Sequence, residues 1–129
     1  MSHPNEEALR KAYEAASRGD IEPVRNILAD EIVWHLPGRN QFSGDYSGKE
    51  AVFDVFERRR EFAGPSFAME VHDVLANDDH VVDLLVMRAE RGGRSLHYRS
   101  VGVYNMRDGK IVEAWAHNDD QNAVDEFWS

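Results

Sequence analysis

Read for the spacing of its apolar positions, the chain divides into a mostly helical first half and a β-rich second half. Ala8, Leu9, Ala12, Tyr13, Ala15 and Ala16 recur with helical period behind a capping Asn5 and stop at Gly19, which predicts a first helix. Asp20 can cap a second, shorter helix that carries Val24, Ile27 and Leu28 on one face and tolerates Pro23 in its first turn. Ile32 to Leu36 is β-branched and aromatic and breaks at Pro37-Gly38, so it reads as a short strand running into a polar loop, Gly38 to Gly48. Helical period returns over Lys49 to Phe62 through Val52, Phe53, Val55, Phe56 and Arg59.

From Phe67 the period changes to that of strands, at Phe67 to Ala76, His80 to Glu90, Ser95 to Met106 and Ile111 to Asn118, with Asp119 to Trp128 closing as a helical turn. The separators Asn77-Asp78-Asp79, Gly92-Gly93 and Asp108-Gly109 are residue types that tight hairpins demand at positive φ, so the strands form a meander. A two-residue turn fixes register. Gly92-Gly93 sets Met87 opposite Tyr98, Leu85 opposite Ser100 and Asp83 opposite Gly102; Asp108-Gly109 sets Trp115 opposite Gly102, His117 opposite Ser100 and Asp119 opposite Tyr98. One face then mixes large apolar groups with a few converging polar ones, as ligand pockets do. The other face, with Val82, Leu84, Val86, Val101 and Val103, is apolar too. Three helices can cover only one face, which predicts a homodimer through the second.

The candidate chemistry sits at the polar end of the first face. His117 and Asp119, with His35 at the end of the first strand, can act as general base and orienter on a carbon next to a carbonyl, or activate water. His117 and Asp119 can equally cap the rim or bond backbone. Asp83 interrupts the apolar run Val81 to Met87 and is either bonded inside the pocket, as a second candidate acid, or a mark of a different register. Candidate walls for a ligand are Tyr13, Trp34, Phe53, Phe56, Met87, Tyr98, Ser100 and Trp115; the two indoles offer stacking area or simply fill core. Arg58-Arg59-Arg60, flanked by acids, reads as a solvated helix face.

Composition narrows the function. A single domain of 129 residues can bury a core without staples, and a net charge of -9 without a basic stripe argues against nucleic acid as a partner. The chain has no cysteine, phosphate loop, nucleotide fingerprint or nucleophile elbow, so neither thiol chemistry nor a bound redox or nucleotide cofactor is expected. His35, His117 and Asp119 lack compact metal-ligand spacing, and no metal is expected either. Met1 to Arg18 carries neither a secretory pattern nor a membrane span, which places the protein in the cytoplasm.

Two helices, a strand, a polar loop, a third helix and an antiparallel meander resemble the SnoaL-like layout of the nuclear transport factor 2-like superfamily. Gly44-Asp45-Tyr46-Ser47-Gly48-Lys49-Glu50-Ala51-Val52 is similar to that family's glycine-bracketed lead into the third helix. Asp108-Gly109-Lys110-Ile111 with Glu113, Trp115 and Asp119 is similar to its last hairpin. The resemblance implies an α+β, cone-shaped cystatin-like roll, three N-terminal helices packed on a strongly curved antiparallel sheet, as one domain over residues 1–129. It implies a cofactor-independent isomerase, cyclase or hydratase moving a proton on a small apolar carbonyl compound, or else a noncatalytic module that binds a hydrophobic ligand or dimerises. Asp119, four residues after Trp115, matches the acid or base of SnoaL-type cyclases. His35 stands where ketosteroid isomerases carry their base, their oxyanion-holding Asp falls near Val101, and their helix-borne Tyr falls near Ala12 or Tyr13.

Overall fold

The computed structural model describes residues 3–129. Helix α1, Pro4–Ser17, starts earlier than its apolar spacing suggests: Pro4 sits in the first turn and the His3 ring, rather than Asn5, caps the helix by accepting from the Asn5 N–H. Asn5 is instead buried and donates to the carbonyls of Asn77 and Asp78, tying α1 to a hairpin turn. Helix α2 spans Glu22–Ile27 and α3 spans Lys49–Ala63. A last helix, α4, Gln121–Phe127, is capped by Asp120, whose side chain accepts from the Ala123 N–H.

Six strands form one curled sheet: β1 Leu28–Leu36, β2 Gly44–Ser47, β3 Ala68–Ala76, β4 His80–Arg91, β5 Arg94–Arg107 and β6 Lys110–Asn118. Their order is β2-β1-β6-β5-β4-β3. Two features differ from expectation. Only α1 and α2 precede the sheet, because β1 and the four-residue β2 come before α3; and β1 runs parallel to β6, so the sheet is mixed. Strand β2 lies inside the stretch that reads as loop, since Gly-Asp-Tyr-Ser is turn composition and only pairing with β1 makes it a strand.

The Gly92-Gly93 turn delivers the register it dictates, with both glycines at positive φ: Met87 pairs with Tyr98, Leu85 with Ser100 and Asp83 with Gly102. The Asp108-Gly109 turn also pairs Arg107 with Lys110, but the register then shifts. Met106 faces Ile111 while Asn105 faces Glu113, so Val112 is an extra residue on β6 and forms a β-bulge. Past it every side chain of β6 exchanges faces. Trp115 pairs with Val103, His117 with Val101, and Asn118 with Ser100.

The helices pack on the face that carries Val81, Asp83, Leu85, Met87, Tyr98, Ser100, Gly102 and Tyr104. Two apolar clusters fill that side. One joins Leu9 and Ala12 of α1 and Val52 and Phe53 of α3 to Val81, Tyr104 and Ile111. The other joins Phe42 and Val55 to Leu85, Tyr98, Phe127 and Trp128. The pair Asp83–Gly102 marks the boundary between them. No described helix is long and apolar enough to cross a membrane.

Candidate functional site

Asp83 is fully buried, and every polar group around it is a donor. Its Oδ1 accepts from the Gly102 N–H at 2.8 Å; its Oδ2 accepts from the Tyr104 hydroxyl at 2.7 Å and from the Tyr13 hydroxyl. The two phenol oxygens are 3.0 Å apart. Glycine at 102 is a requirement of this arrangement: a Cβ there would stand 2.4 Å from Asp83 Oδ1 and 2.6 Å from the Tyr104 hydroxyl. Local sequence explains the placement. Asp83 takes the inward position of an alternating strand, Gly102 lies opposite by the register of the Gly92-Gly93 turn, and Tyr13 comes from the buried face of α1, one residue after Ala12.

Burial pushes the Asp83 carboxyl above its ordinary range against the lowering pull of Tyr13, Tyr104 and the Gly102 N–H. Both phenols move well up, Tyr13 through burial and then the neighbouring Asp83 charge, Tyr104 through burial and then its proximity to Tyr13 and Asp83. The result is a cluster of two neutral hydroxyls and one carboxylate that binds a proton more tightly than an exposed one. Tyr13 joins it to solvent. A cavity of about 580 Å³ opens between α1, the end of α3 and β3, lined by Tyr13, Phe67, Met69 and Val71 with Arg10, Glu14 and Arg60 at its polar edge. Trp34 closes the cluster from the other side, meeting the Tyr104 ring at 5.5 Å and Phe56 edge-on at 4.9 Å.

The bulge at Val112 removes three expected members of the site. Trp115, His117 and Asp119 lie on the opposite face from Asp83, where His117 and Asp119 are exposed. Asp119 Oδ1 accepts from the Arg99 N–H at 3.0 Å and the Asp119 N–H returns to the Arg99 carbonyl, so this carboxylate fastens the end of a strand pair. His35 shares that outer face. Its ring stacks on Trp115 with centroids 5.3 Å apart, and both nitrogens are taken, Nδ1 by Asp45 at 2.6 Å and Nε2 by Glu113 at 2.7 Å. The bond to Asp45, then that to Glu113, raises its pKa. An imidazole with no free nitrogen cannot serve as a general base.

The remaining expected residues lie on the helix-packed side. Phe53, Met87, Tyr98 and Ser100 are buried, and Tyr13, Trp34 and Phe56 are partly buried against the same clusters. Tyr104 is the member that residue spacing missed. It shares the face of Asp83 by simple alternation with Gly102, and its hydroxyl was the available signal, because a buried tyrosine needs a partner. Where the resemblance expects an acid near Val101, that side chain points outward, and the carboxylate comes from Asp83 on the neighbouring strand. Among the described residues no group of three His, Cys, Asp or Glu side chains is arranged to hold a metal.

The sequence model of the SnoaL-like domain matches residues 9–114. Uncharacterized proteins of Mycobacterium bovis and Mycobacterium tuberculosis are 25% identical over 122 residues, covering 94% of this chain and 93% of theirs. Among solved structures, Bal32a from a soil-derived mobile gene cassette superposes with a TM-score of 0.91 at 33% identity, over 98% of this chain and 97% of that one. A cystatin-like protein of unknown function from Xanthomonas campestris follows at 0.88 and 28%, over 97% and 98% of the two chains. IdmH of Streptomyces antibioticus, provisionally assigned as a polyketide cyclase, superposes at 0.75 with 26% identity over 95% and 96%.

Proposed function

The chain belongs to the SnoaL-like domain family, and on that premise we propose that it takes a small, largely apolar carbonyl compound into the cavity beside Tyr13 and moves a proton on it without a cofactor. The observation that carries this reading is the buried Asp83 carboxylate, bonded to two phenol hydroxyls of which one, Tyr13, also borders the cavity. A phenol held neutral is a good donor to a carbonyl oxygen as negative charge develops there. As Tyr13 turns its hydroxyl toward the ligand oxygen while keeping its own proton, Tyr104 and Gly102 keep Asp83 bonded, and the Asp83 carboxylate, relieved of one donor, takes up the proton that leaves the neighbouring carbon and returns it to the product. Isomerisation, cyclisation and hydration all need this service. The family resemblance to IdmH, a provisional cyclase, points the same way.

The competing reading is a noncatalytic ligand-binding module, and one observation favours it: Tyr13, Tyr104 and Gly102 together satisfy Asp83 with no outside partner, as a purely structural carboxylate would be. Deuterium exchange separates the two. Incubated with 2-tetralone in heavy water, the wild type is expected to exchange the ketone's α-protons faster than buffer, and Tyr13→Phe and Asp83→Asn to slow that exchange by roughly a hundredfold. A ketone that binds yet exchanges at the buffer rate would establish the module and refute the enzyme.

A further inference from the structure

Arg59 stands apart from its neighbours on α3. Arg58 pairs with Asp54 at 3.0 Å and Arg60 with Glu57 at 3.7 Å, both on the exposed surface, whereas Arg59 meets no carboxylate among the described residues. It follows Val55 and Phe56 at helical spacing and so turns inward, where its guanidinium lies 4.9 Å above the Trp128 ring. Burial pulls its pKa down, and the adjacent Tyr98 hydroxyl opposes that pull. Partly exposed and stacked on an indole, this cation stands without an anion beside it among the described residues.

Two further donors meet it. Trp128 is 1% exposed, and its Nε1–H is the one buried side-chain nitrogen or oxygen among the described residues without a hydrogen-bond partner. The Tyr98 hydroxyl lies beside both: burial raises its pKa, while Arg59 and the Trp128 indole lower it. Stacking of Arg59 on the indole face accounts for the cation's position but leaves the N–H unsatisfied. A strand, a helix and the residue after α4 thus bring donors together, and the fold supplies no acceptor with charge.

We infer that Arg59, Tyr98 and Trp128 Nε1 form the seat for a carboxylate of the ligand, so that the carbonyl compound bound is also an apolar acid. The inference rests on the reading that the interior takes a small molecule, and it names the class of that molecule. Access runs through Phe67, which lines the cavity and packs on Trp128 at 5.9 Å, so one aromatic ring separates the cavity from the donors. An apolar body lying along Val71 and Tyr13 can then present its acidic group to Arg59 once Phe67 turns aside.

The test uses a matched pair, 4-biphenylcarboxylic acid and 4-biphenylcarboxamide, titrated into the full chain by calorimetry, with the indole N–H resonances followed by NMR. The acid is expected to bind at least about tenfold more tightly than the amide, as a charge-assisted pair should. Arg59→Gln should erase that preference and leave amide affinity unchanged; Arg59→Lys, which keeps the charge, should retain most of it. In the wild type, which needs no variant to fold, the Trp128 N–H resonance should move with acid and stay with amide. Equal binding of acid and amide, or an unmoved Trp128 resonance, overturns the anion seat while leaving the cavity in place. Binding of neither overturns both.

Discussion

Replacing Asp83 separates its charge from its hydrogen bonds. In Asp83→Ala three donors lose their acceptor at once, the Gly102 N–H, the Tyr104 hydroxyl and the Tyr13 hydroxyl. The phenols lie 3.0 Å apart and can bond to each other, which leaves two donors stranded in a dry interior. At about 1–3 kcal/mol for each, the loss is ~2–6 kcal/mol, reduced somewhat because the variant no longer buries a carboxylate. That is a large part of the stability of an ordinary domain. Asp83→Asn keeps an oxygen for Gly102 but puts a donor where both phenols found their acceptor, and with the phenols bonded to each other one phenol proton is left unpaired, so it should fall about 1–3 kcal/mol below the wild type and stay above the Ala variant. The sign of the pH dependence follows from the raised folded-state pKa of Asp83. Between the unfolded value, about 3.9, and the higher folded value the native state holds the extra proton, so this group's contribution falls as pH rises through that window. Asp83→Asn removes that component. Urea unfolding followed by tryptophan fluorescence, with the m-value checked for constancy, measures all of this. An Ala variant less than about 1 kcal/mol below the wild type, or an Asn variant as damaged as the Ala one, would refute the account of the cluster as a satisfied buried network.

The remaining expectations concern the outer face. His35, held by Asp45 and then Glu113, has a raised folded-state pKa, so its stabilising contribution is complete below about 6.5 and is lost as pH climbs through the folded value. His35→Gln should flatten that decline, and an NMR titration placing His35 at or below the free-histidine value would contradict it. Val82, Leu84, Val86, Val101 and Val103 remain half-buried on a face that none of the core clusters uses, and we propose that a second copy covers it. Val101→Lys should shift the species seen by light scattering from dimer to monomer, and a wild type that is monomeric at micromolar concentration would end that proposal.

What the sequence makes legible follows turn chemistry. Gly92-Gly93 transmits register through three successive pairs because nothing interrupts β4 or β5, so Asp83, Ser100 and Tyr98 fall on the helix-packed face by counting alone. The same count fails on β6, since an extra residue in Ile111-Val112-Glu113 leaves no mark on a stretch whose two faces are both partly apolar. The size of the side chains carried the hint: Ala114, not Trp115, fits beside Trp34 under the helices. Arg59 was legible by period, standing with Val55 and Phe56, but the run of three arginines reads as a solvated surface. Strand β2 could not be read, because four turn-forming residues become a strand only through their partner.

The extra residue at Val112 also bears on how such proteins change. Deleting that one residue would close the bulge and leave every pair from Asn105–Glu113 onward as it is, with Ala114 still inward and Trp115 and His117 still outward. A chain one residue shorter would therefore keep its whole inner lining. The bulge accordingly lets this hairpin differ by one residue in length while the packed face behind it stays unaltered.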